Sequence, residues 1–286
     1  MTVGRNSSKT WNSLVSELLE GSFDLHVHAG PDPYQERRLD ALETARYAHE
    51  TEMAGFVLKS HHYPTGALAR TLCRVYPGLM VIGAIVLNWE VGGCNPDAVE
   101  AAARIGTKVI WMPTRSAPSD SGKREGIQLT NDKGVLVPEL HDIIDIAKQH
   151  DMVLASGHAS PQDAIALFSE AEKKGVHRLI ATHPSGVSTD EEMRCMSSHG
   201  AYIEFTFASC MPSGGAKSPS EFAASIKAIG PERCVVTSDF GQWMNPSPAE
   251  GMRMAIAAFL GTGIEPYEVE KLVKSNPREL VGLDSG

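Results

Sequence analysis

The feature that most constrains the fold is a repeated alternation between short apolar runs and longer segments with helical periodicity. The runs are rich in Val, Ile or Leu without strict alternation, as is typical of strands buried on both faces. They cover 23–28, 55–62, 79–86, 108–114, 152–158, 177–183, 201–207 and 234–241. Eight strand–helix units in one 286-residue chain predict an α/β fold, a (β/α)8 TIM barrel.

A doubly wound open sheet is the competing architecture. That fold usually has five or six parallel strands, and no glycine-rich dinucleotide fingerprint follows an early run here. We therefore predict a single barrel domain over 23–286, preceded by an N-terminal extension over 1–22. Asn95 and Gly106 are the expected start and end of the helix that precedes the fourth run.

One connection is longer than a barrel needs. The segment 115–138 follows the fourth run and contains "LTNDKGVLV", which predicts a small hairpin with its turn at Asn131–Gly134. Long loops after barrel strands are where lids and specificity elements lie.

Composition limits the classes of partner. The net charge of −9 and pI of about 5.7 argue against nucleic acid, because an acidic surface repels phosphates. The sequence has no apolar run of about 20 residues to span a membrane and no apolar secretory signal. The five cysteines form no close pairs, so free thiols in a reducing cytoplasm are expected. The predicted partner is a small-molecule substrate, and a homo-oligomer is left open.

Polar residues gather where the predicted strands end. His26 and His28 lie two apart on the first strand and so point to the same face, either as metal ligands or as hydrogen-bonded rim histidines. His158, His183 and Asp239 end the fifth, sixth and eighth runs, and each alone could be a rim residue or a cap. Burying all five at one mouth without a cation would be costly. Together they predict a divalent metal, with zinc favoured and manganese, iron or nickel left open.

This order of His-x-His, His, His and Asp along the strands resembles the amidohydrolase superfamily of metal-dependent hydrolases. The segment "VEKLVKSNPRELVGL" (269–283) is similar to an ending common in that group. The resemblance implies that the first-strand histidines and Asp239 hold one metal. It implies that His158 and His183 hold a second, or help hold a single ion and position the substrate.

The sequence departs from that superfamily at the bridging residue. Members with two metals usually take a carboxylated lysine or a glutamate from the fourth strand, but "KVIWMPT" has Lys108 at its start and no acid. Lys59, at the end of the second run, is the candidate replacement. A buried lysine beside cations prefers to be neutral, and carbon dioxide would convert it to a carbamate ligand. The alternative is an ammonium that binds an anionic substrate group.

Three further residues are candidates for substrate binding. Strand alternation places one of His61 and His62 inward and the other outward. Arg115 follows the fourth run, where its guanidinium could clamp a substrate carboxylate or simply lie on the surface.

Other charged residues are predicted either to orient the site residues or to lie in solvent. Asp24 is expected to orient His26, and Glu204 to pair with Lys59 or a histidine, or to face a helix. The cationic residues Arg37, Arg38 and Lys123 are expected to be solvated.

These residues predict hydrolysis of an amide, cyclic amide, lactone or ester bond by a metal-bound hydroxide. Asp239 would take up the water proton and pass it to the leaving group, while the metal and a histidine such as His183 stabilise the oxyanion. The alternatives are a one-metal decarboxylase or hydratase of the same superfamily and, from a different class, a non-catalytic binding barrel.

Overall fold

The computed structural model describes residues 10–122 and 124–283, and within them eight parallel strands form the predicted barrel. The strands, in both chain and spatial order, are β1 (Phe23–His28), β2 (Gly55–Lys59), β3 (Met80–Val86), β4 (Thr107–Trp111), β5 (Val153–Ala155), β6 (Leu179–Ala181), β7 (Ala201–Thr206) and β8 (Cys234–Thr237). The first and last strands close the ring, since His28 N donates to Phe240 O at 2.8 Å and Asp239 N to His26 O at 2.9 Å. The predicted fold class is confirmed.

Helices follow the strands around the outside. They are α1 (Trp11–Leu19), α2 (Ala41–Glu50), α3 (Gly66–Val75), α4 (Pro96–Ile105), α5 (Pro138–Gln149), α6 (Pro161–Lys174), α7 (Asp190–Ser198), α8 (Pro219–Ile229), α9 (Pro248–Gly261), α10 (Pro266–Glu270) and α11 (Asn276–Val281). As predicted, Asn95 caps α4 by accepting from Asp97 N and Ala98 N, and Gly106 ends it with a left-handed φ of 101°. In the described part of the chain no helix has the length and apolar character needed to cross a bilayer.

The core lies in two layers that leave one end of the barrel polar. Apolar side chains such as Phe23 and Val57 fill the barrel interior, and Leu280 and Val281 of α11 join this cluster. A larger apolar layer fills the space between strands and helices. The polar strand ends therefore lie at the opposite, carboxyl end, where active sites of such barrels are built.

Helix α1 lies within the predicted extension and packs against α9. Its residues Val15, Leu18 and Leu19 are buried in the outer apolar layer. The segment therefore contributes to the core, while the boundary between 22 and 23 stays a prediction.

The long β4–α5 connection contains the predicted hairpin, shortened to a single antiparallel bridge and its turn. Thr130 and Leu136 make one antiparallel bridge, and Asn131 N donates to Val135 O at 2.9 Å. The turn is stabilised by the Asn131 carboxamide, which accepts from Lys133 N and Val135 N. Lys123 of the same connection lies outside the described residues.

Candidate metal centre and substrate pocket

Three potential metal ligands meet at the carboxyl end of the barrel. One ligand atom from each of His26, His28 and Asp239 lies within 4.8 Å of the other two. The Asp239 Oδ1 atom is 3.2 Å from His26 Nε2 and 3.3 Å from His28 Nε2. The pairing of β1 with the segment after β8 produces this arrangement, because it aligns the backbone of Asp239 with that of His26.

Glu204 on β7 fixes the orientation of the His26 ring. Its Oε1 lies 3.0 Å from His26 Nδ1 and accepts from Thr237 Oγ1 at 2.9 Å, while its Oε2 accepts from His183 N at 3.1 Å. Since every partner can donate, the carboxylate form fits this network, although burial raises the Glu204 pKa. The arrangement implies a proton on His26 Nδ1 and a lone pair on Nε2, which faces both the Asp239 oxygen and Lys59 Nζ; a metal ion bound there would take this lone pair in place of the amine.

Asp24 does not orient the His26 ring as the sequence suggested. Its Oδ1 accepts from the backbone amides of His26 and Ser238, both at 3.1 Å, so it ties the ends of β1 and β8 together. The ring partner is Glu204 instead. Burial raises the Asp24 pKa to about 7 despite these hydrogen bonds.

Glu204→Gln tests this orienting role. We expect the affinity for a divalent metal to fall about 10- to 100-fold, because an amide cannot hold the ring tautomer as a carboxylate does. Competition against a fluorescent chelator measures the change, with exposed Glu36→Gln as the matched control. Equal affinities of the two variants would contradict the assignment.

The buried histidines are held in the neutral form that metals require. Burial moves the pKa of His26, His28 and His61 well below the usual value, since an imidazolium would lose its hydration. The nearby Lys59 adds to this effect at all three rings. Neutral imidazoles bind a cation without first releasing a proton.

Lys59 is the buried cation of this cluster. Its side chain is 1% exposed, with Nζ 3.0 Å from His26 Nε2 and 4.7 Å from the ring centre of Trp111. Burial lowers the Lys59 pKa to about 8, against the opposing charges of Asp239 and Glu204. At a pKa of about 8, roughly a tenth of the molecules carry the neutral amine at pH 7.

His158 and His183 stand beside this group rather than within it. Their ring centres are 5.0 Å apart, and the His183 ring stacks on His26 at 5.9 Å. His158 Nδ1 contacts the carboxylate of Asp120, which belongs to the long β4–α5 connection. Over residues 10–122 and 124–283, the compact ligand group contains only His26, His28 and Asp239.

The side chains of the two histidines that follow β2 point in different directions. His61 lines the pocket, stacks on His28 at 4.7 Å and bonds Thr114 Oγ1 through Nδ1 at 2.8 Å. His62 turns away, with Nδ1 3.2 Å from Glu90 Oε1 and its ring against Tyr34. The alternation is as expected, and the role of each histidine in substrate binding stays a prediction.

Two arginines lie at the pocket. Arg115 extends from the end of β4, where its Nη2 donates to Gln35 Oε1 at 3.0 Å. Arg37 is 4% exposed in its side chain and bound to Asp32 through Nε at 2.9 Å and Nη2 at 2.6 Å. The expectation of a solvated Arg37 is therefore wrong, because the β1–α2 loop folds over the barrel mouth. Arg38 is exposed, as expected.

These groups surround one cavity of about 340 Å³, called the site pocket below. Its floor and walls are formed by His26, His28, Asp239, Lys59, His61, His158 and His183. Its rim is formed by Gln35, Arg37, Arg115, Asp120 and Gln242. The pocket is thus polar, carries two arginines, and is of a size suited to a small molecule.

The backbone at the site is held in unusual conformations. Asp239 and His183, neither of them glycine, have φ values of 51° and 28°. Such left-handed residues cost about 1–3 kcal/mol each and cluster at functional sites. Gly241, with φ 137°, lies so close to β1 that an added Cβ would be 2.0 Å from His28 O.

Gly241→Ala should therefore open the contact between β1 and the segment after β8. We expect a loss in unfolding free energy at least about 1 kcal/mol larger than for Gly78→Ala, together with reduced metal binding. Gly78 is the matched control, since its φ is 93° and nothing lies within 4 Å of an added Cβ. Urea unfolding measures the free energy of unfolding of the two variants. Equal losses in Gly241→Ala and Gly78→Ala would contradict the steric argument.

The fold is a (β/α)8 barrel with a polar carboxyl end, and several solved structures share this fold. An amidohydrolase from Pseudomonas aeruginosa is similar over 96% of this chain and 100% of its own, at a TM-score of 0.67 and 12% identity. The probable dipeptidase PvdM of the same organism has a TM-score of 0.66 at 12% identity, over 94% and 96% of the two chains. A 2,6-dihydroxybenzoate decarboxylase from Rhizobium has 0.57 at 13%, over 93% and 99%.

The particular family follows from the sequence. Residues 21–204 match a family of unknown function (DUF6282), and the chain belongs to that family. No curated protein sequence matches this chain. The matched region includes β1 to β6 and the first four residues of β7. It also includes the four histidines predicted as metal ligands, whereas Asp239 lies beyond it.

Proposed function

We propose that the protein is a metal-dependent hydrolase that cleaves an amide, cyclic amide, lactone or ester bond of a small, carboxylate-bearing molecule. The observation that carries this proposal is the group of His26, His28 and Asp239, whose ligand atoms lie within 4.8 Å of one another at the floor of a pocket. Imidazole and carboxylate donors suit zinc and related divalent ions.

Two arginines at the rim of the site pocket support the proposal that the substrate bears a carboxylate. Arg115 donates to a neutral amide, that of Gln35, and among the described residues it makes no salt bridge, although its charge acts on the nearby Asp120 carboxylate. Arg37 is positioned by Asp32, whose own amide partners Tyr34 N and Gln35 N keep that carboxylate fixed. Planar guanidinium groups bind carboxylates through paired hydrogen bonds, which fixes the orientation of the substrate.

A divalent ion held at this site would lower the pKa of a water molecule and polarise the scissile carbonyl. The chain supplies the remaining groups. Asp239 is 19% exposed in its side chain and faces the site pocket, where its carboxylate takes up a proton and delivers it to the leaving group. His183, held at its backbone by Glu204, lies at the pocket wall and stabilises the oxygen that gains negative charge.

We propose further that Lys59 is carboxylated in the active protein. Its neutral amine attacks carbon dioxide: a nitrogen–carbon bond forms, one carbon–oxygen π bond opens onto oxygen, and one proton of the nitrogen leaves to solvent, giving an anionic carbamate beside His26. The lowered Lys59 pKa and the 3.0 Å contact with His26 Nε2 support this.

Bicarbonate dependence tests the carbamate. Apo-protein should regain more activity with metal plus bicarbonate than with metal alone, and carbon-13 bicarbonate should give a carbamate resonance that Lys59→Ala lacks and Lys108→Ala keeps. Lys108 is the control because it pairs with Asp151 away from the pocket. Activity indifferent to bicarbonate, together with no such resonance, would refute the modification.

Decarboxylation or hydration by a single metal is the second candidate. It is favoured by the compact ligand group of three residues and by the absence of any acid on β4, which reads Thr107–Trp111 without Asp or Glu. A decarboxylase is among the proteins of similar fold.

Turnover in oxygen-18 water separates the candidates. Metal-loaded protein is offered carboxylate-bearing amides, cyclic amides, lactones and esters, beside chelator-treated protein. Hydrolysis places one heavy oxygen in the new carboxyl group, hydration places one in a new hydroxyl group, and decarboxylation releases carbon dioxide and leaves none in the organic product. A fully loaded protein that turns over none of these compounds would contradict the proposed hydrolase.

A further inference from the structure

A second cavity adjoins the site pocket and has a different chemical character. This cavity, called the side cavity below, has a volume of about 660 Å³ and lies among the loops after β4, β5 and β6. Its apolar lining is formed by Pro118, Pro161, Ala164, Pro184, Val187 and Met196. It shares Asp120, His158 and His183 with the site pocket, so these three residues form the wall between the two cavities.

The charges of the two cavities are opposed. The site pocket is lined by Arg37 and Arg115 and contains the ligand group for a divalent ion, beside the carboxylates of Asp120 and Asp239, whereas no described residue that lines the side cavity is a lysine or arginine. The side cavity is lined by two acids with no such cation to offset them. Asp120 contacts His158, which lowers the Asp120 pKa, and Asp163 accepts from Thr130 Oγ1 at 2.6 Å and Ser160 Oγ at 2.7 Å. An anionic group would therefore be repelled from the side cavity and attracted to the site pocket.

We propose that the side cavity binds an uncharged, apolar part of the substrate while the site pocket binds its carboxylate. This inference rests on the proposed function for the position of the scissile bond, which lies between the two parts, beside His183 and the ligand group. The substrate class is then an amide or ester that joins a carboxylate-bearing unit to an apolar group. Proline, alanine, valine and methionine side chains provide the apolar surface for that group, beside polar lining residues such as Ser119, Gln128 and Ser188.

Binding of compounds without a hydrolysable bond tests this independently of turnover. Calorimetry of the metal-loaded protein compares straight-chain monocarboxylates from acetate to decanoate with sebacate, a dicarboxylate as long as decanoate. Once the chain reaches the side cavity, each added methylene should tighten binding about fourfold. Sebacate should bind at least about tenfold more weakly than decanoate, because its second carboxylate meets the acidic wall.

Val187→Lys changes the charge of the side cavity at an exposed position. Val187 is 68% exposed, and Val135, 53% exposed on the β4–α5 hairpin, is the matched control. Val187→Lys should tighten sebacate binding about tenfold and leave acetate unchanged, whereas Val135→Lys should alter neither. Both variants should retain the melting temperature of the natural chain.

The outcomes separate the two proposals. Affinities that do not depend on chain length, or equal effects of the two lysine variants, would overturn the role of the side cavity even if amides are hydrolysed. Chain-length dependence and the Val187→Lys effect without any hydrolysis would support the side cavity and count against the hydrolase.

Discussion

Asp239→Asn is expected to lower kcat/KM by about a thousandfold or more while the barrel stays folded. General acid–base groups contribute about 10²- to 10⁴-fold, and this substitution also removes the only anionic member of the ligand group. The backbone bond from residue 239 N to His26 O does not depend on the side chain, so the closure of the barrel is retained.

Steady-state kinetics at saturating metal, beside the melting temperature, separate loss of chemistry from loss of fold. Asp132→Asn is the control, since Asp132 is exposed at the hairpin turn, far along the chain from the ligand group. An Asp239→Asn protein with near-natural turnover would remove Asp239 from the proposed acid–base role.

The second large predicted effect is a loss of bound metal when either histidine of the ligand group is replaced. His26→Ala and His28→Ala should each reduce the bound divalent metal per chain at least about tenfold, because each removes one of three neighbouring donors. His26→Ala should also lower stability, since it leaves the buried Glu204 carboxylate without its ring partner.

Elemental analysis of purified protein after dialysis measures this. His49→Ala is the control, because His49 is exposed on α2 and belongs to no ligand group among the described residues. Natural metal content in both His26→Ala and His28→Ala would refute the site.

The barrel, and the meeting of His26, His28 and Asp239 at its carboxyl end, could be predicted because both follow from local pattern, whereas the predicted roles of His158, His183 and Lys59 as further metal ligands stay predictions. Apolar runs show where strands lie, and the polar residue that ends each run must lie at the carboxyl end of a parallel barrel. His26, His28 and Asp239 meet for this reason although more than 200 residues separate Asp239 from His28. The buried position of Lys59 follows in the same way from its place at the end of β2.

The sequence did not predict contacts made by loops that fold back over the mouth. Arg37 and its partner Asp32 lie five residues apart in a loop, a spacing with no regular geometry, so nothing local indicated that the pair is buried. The contact of Asp120 with His158 depends on the path of the long β4–α5 connection. For Glu204 the sequence left three alternatives open, namely Lys59, a histidine or a helix, because β-strand alternation gives a face but not which side chain lies opposite.

The central claim is that His26, His28 and Asp239 hold a divalent metal. Anomalous diffraction from a crystal of metal-loaded protein, recorded on both sides of the absorption edge of the metal found by elemental analysis, tests it most directly. The account predicts an anomalous peak in contact with His26 Nε2, His28 Nε2 and the Asp239 carboxylate. A fully loaded crystal whose peak lies elsewhere, or that shows none at this position, would contradict it.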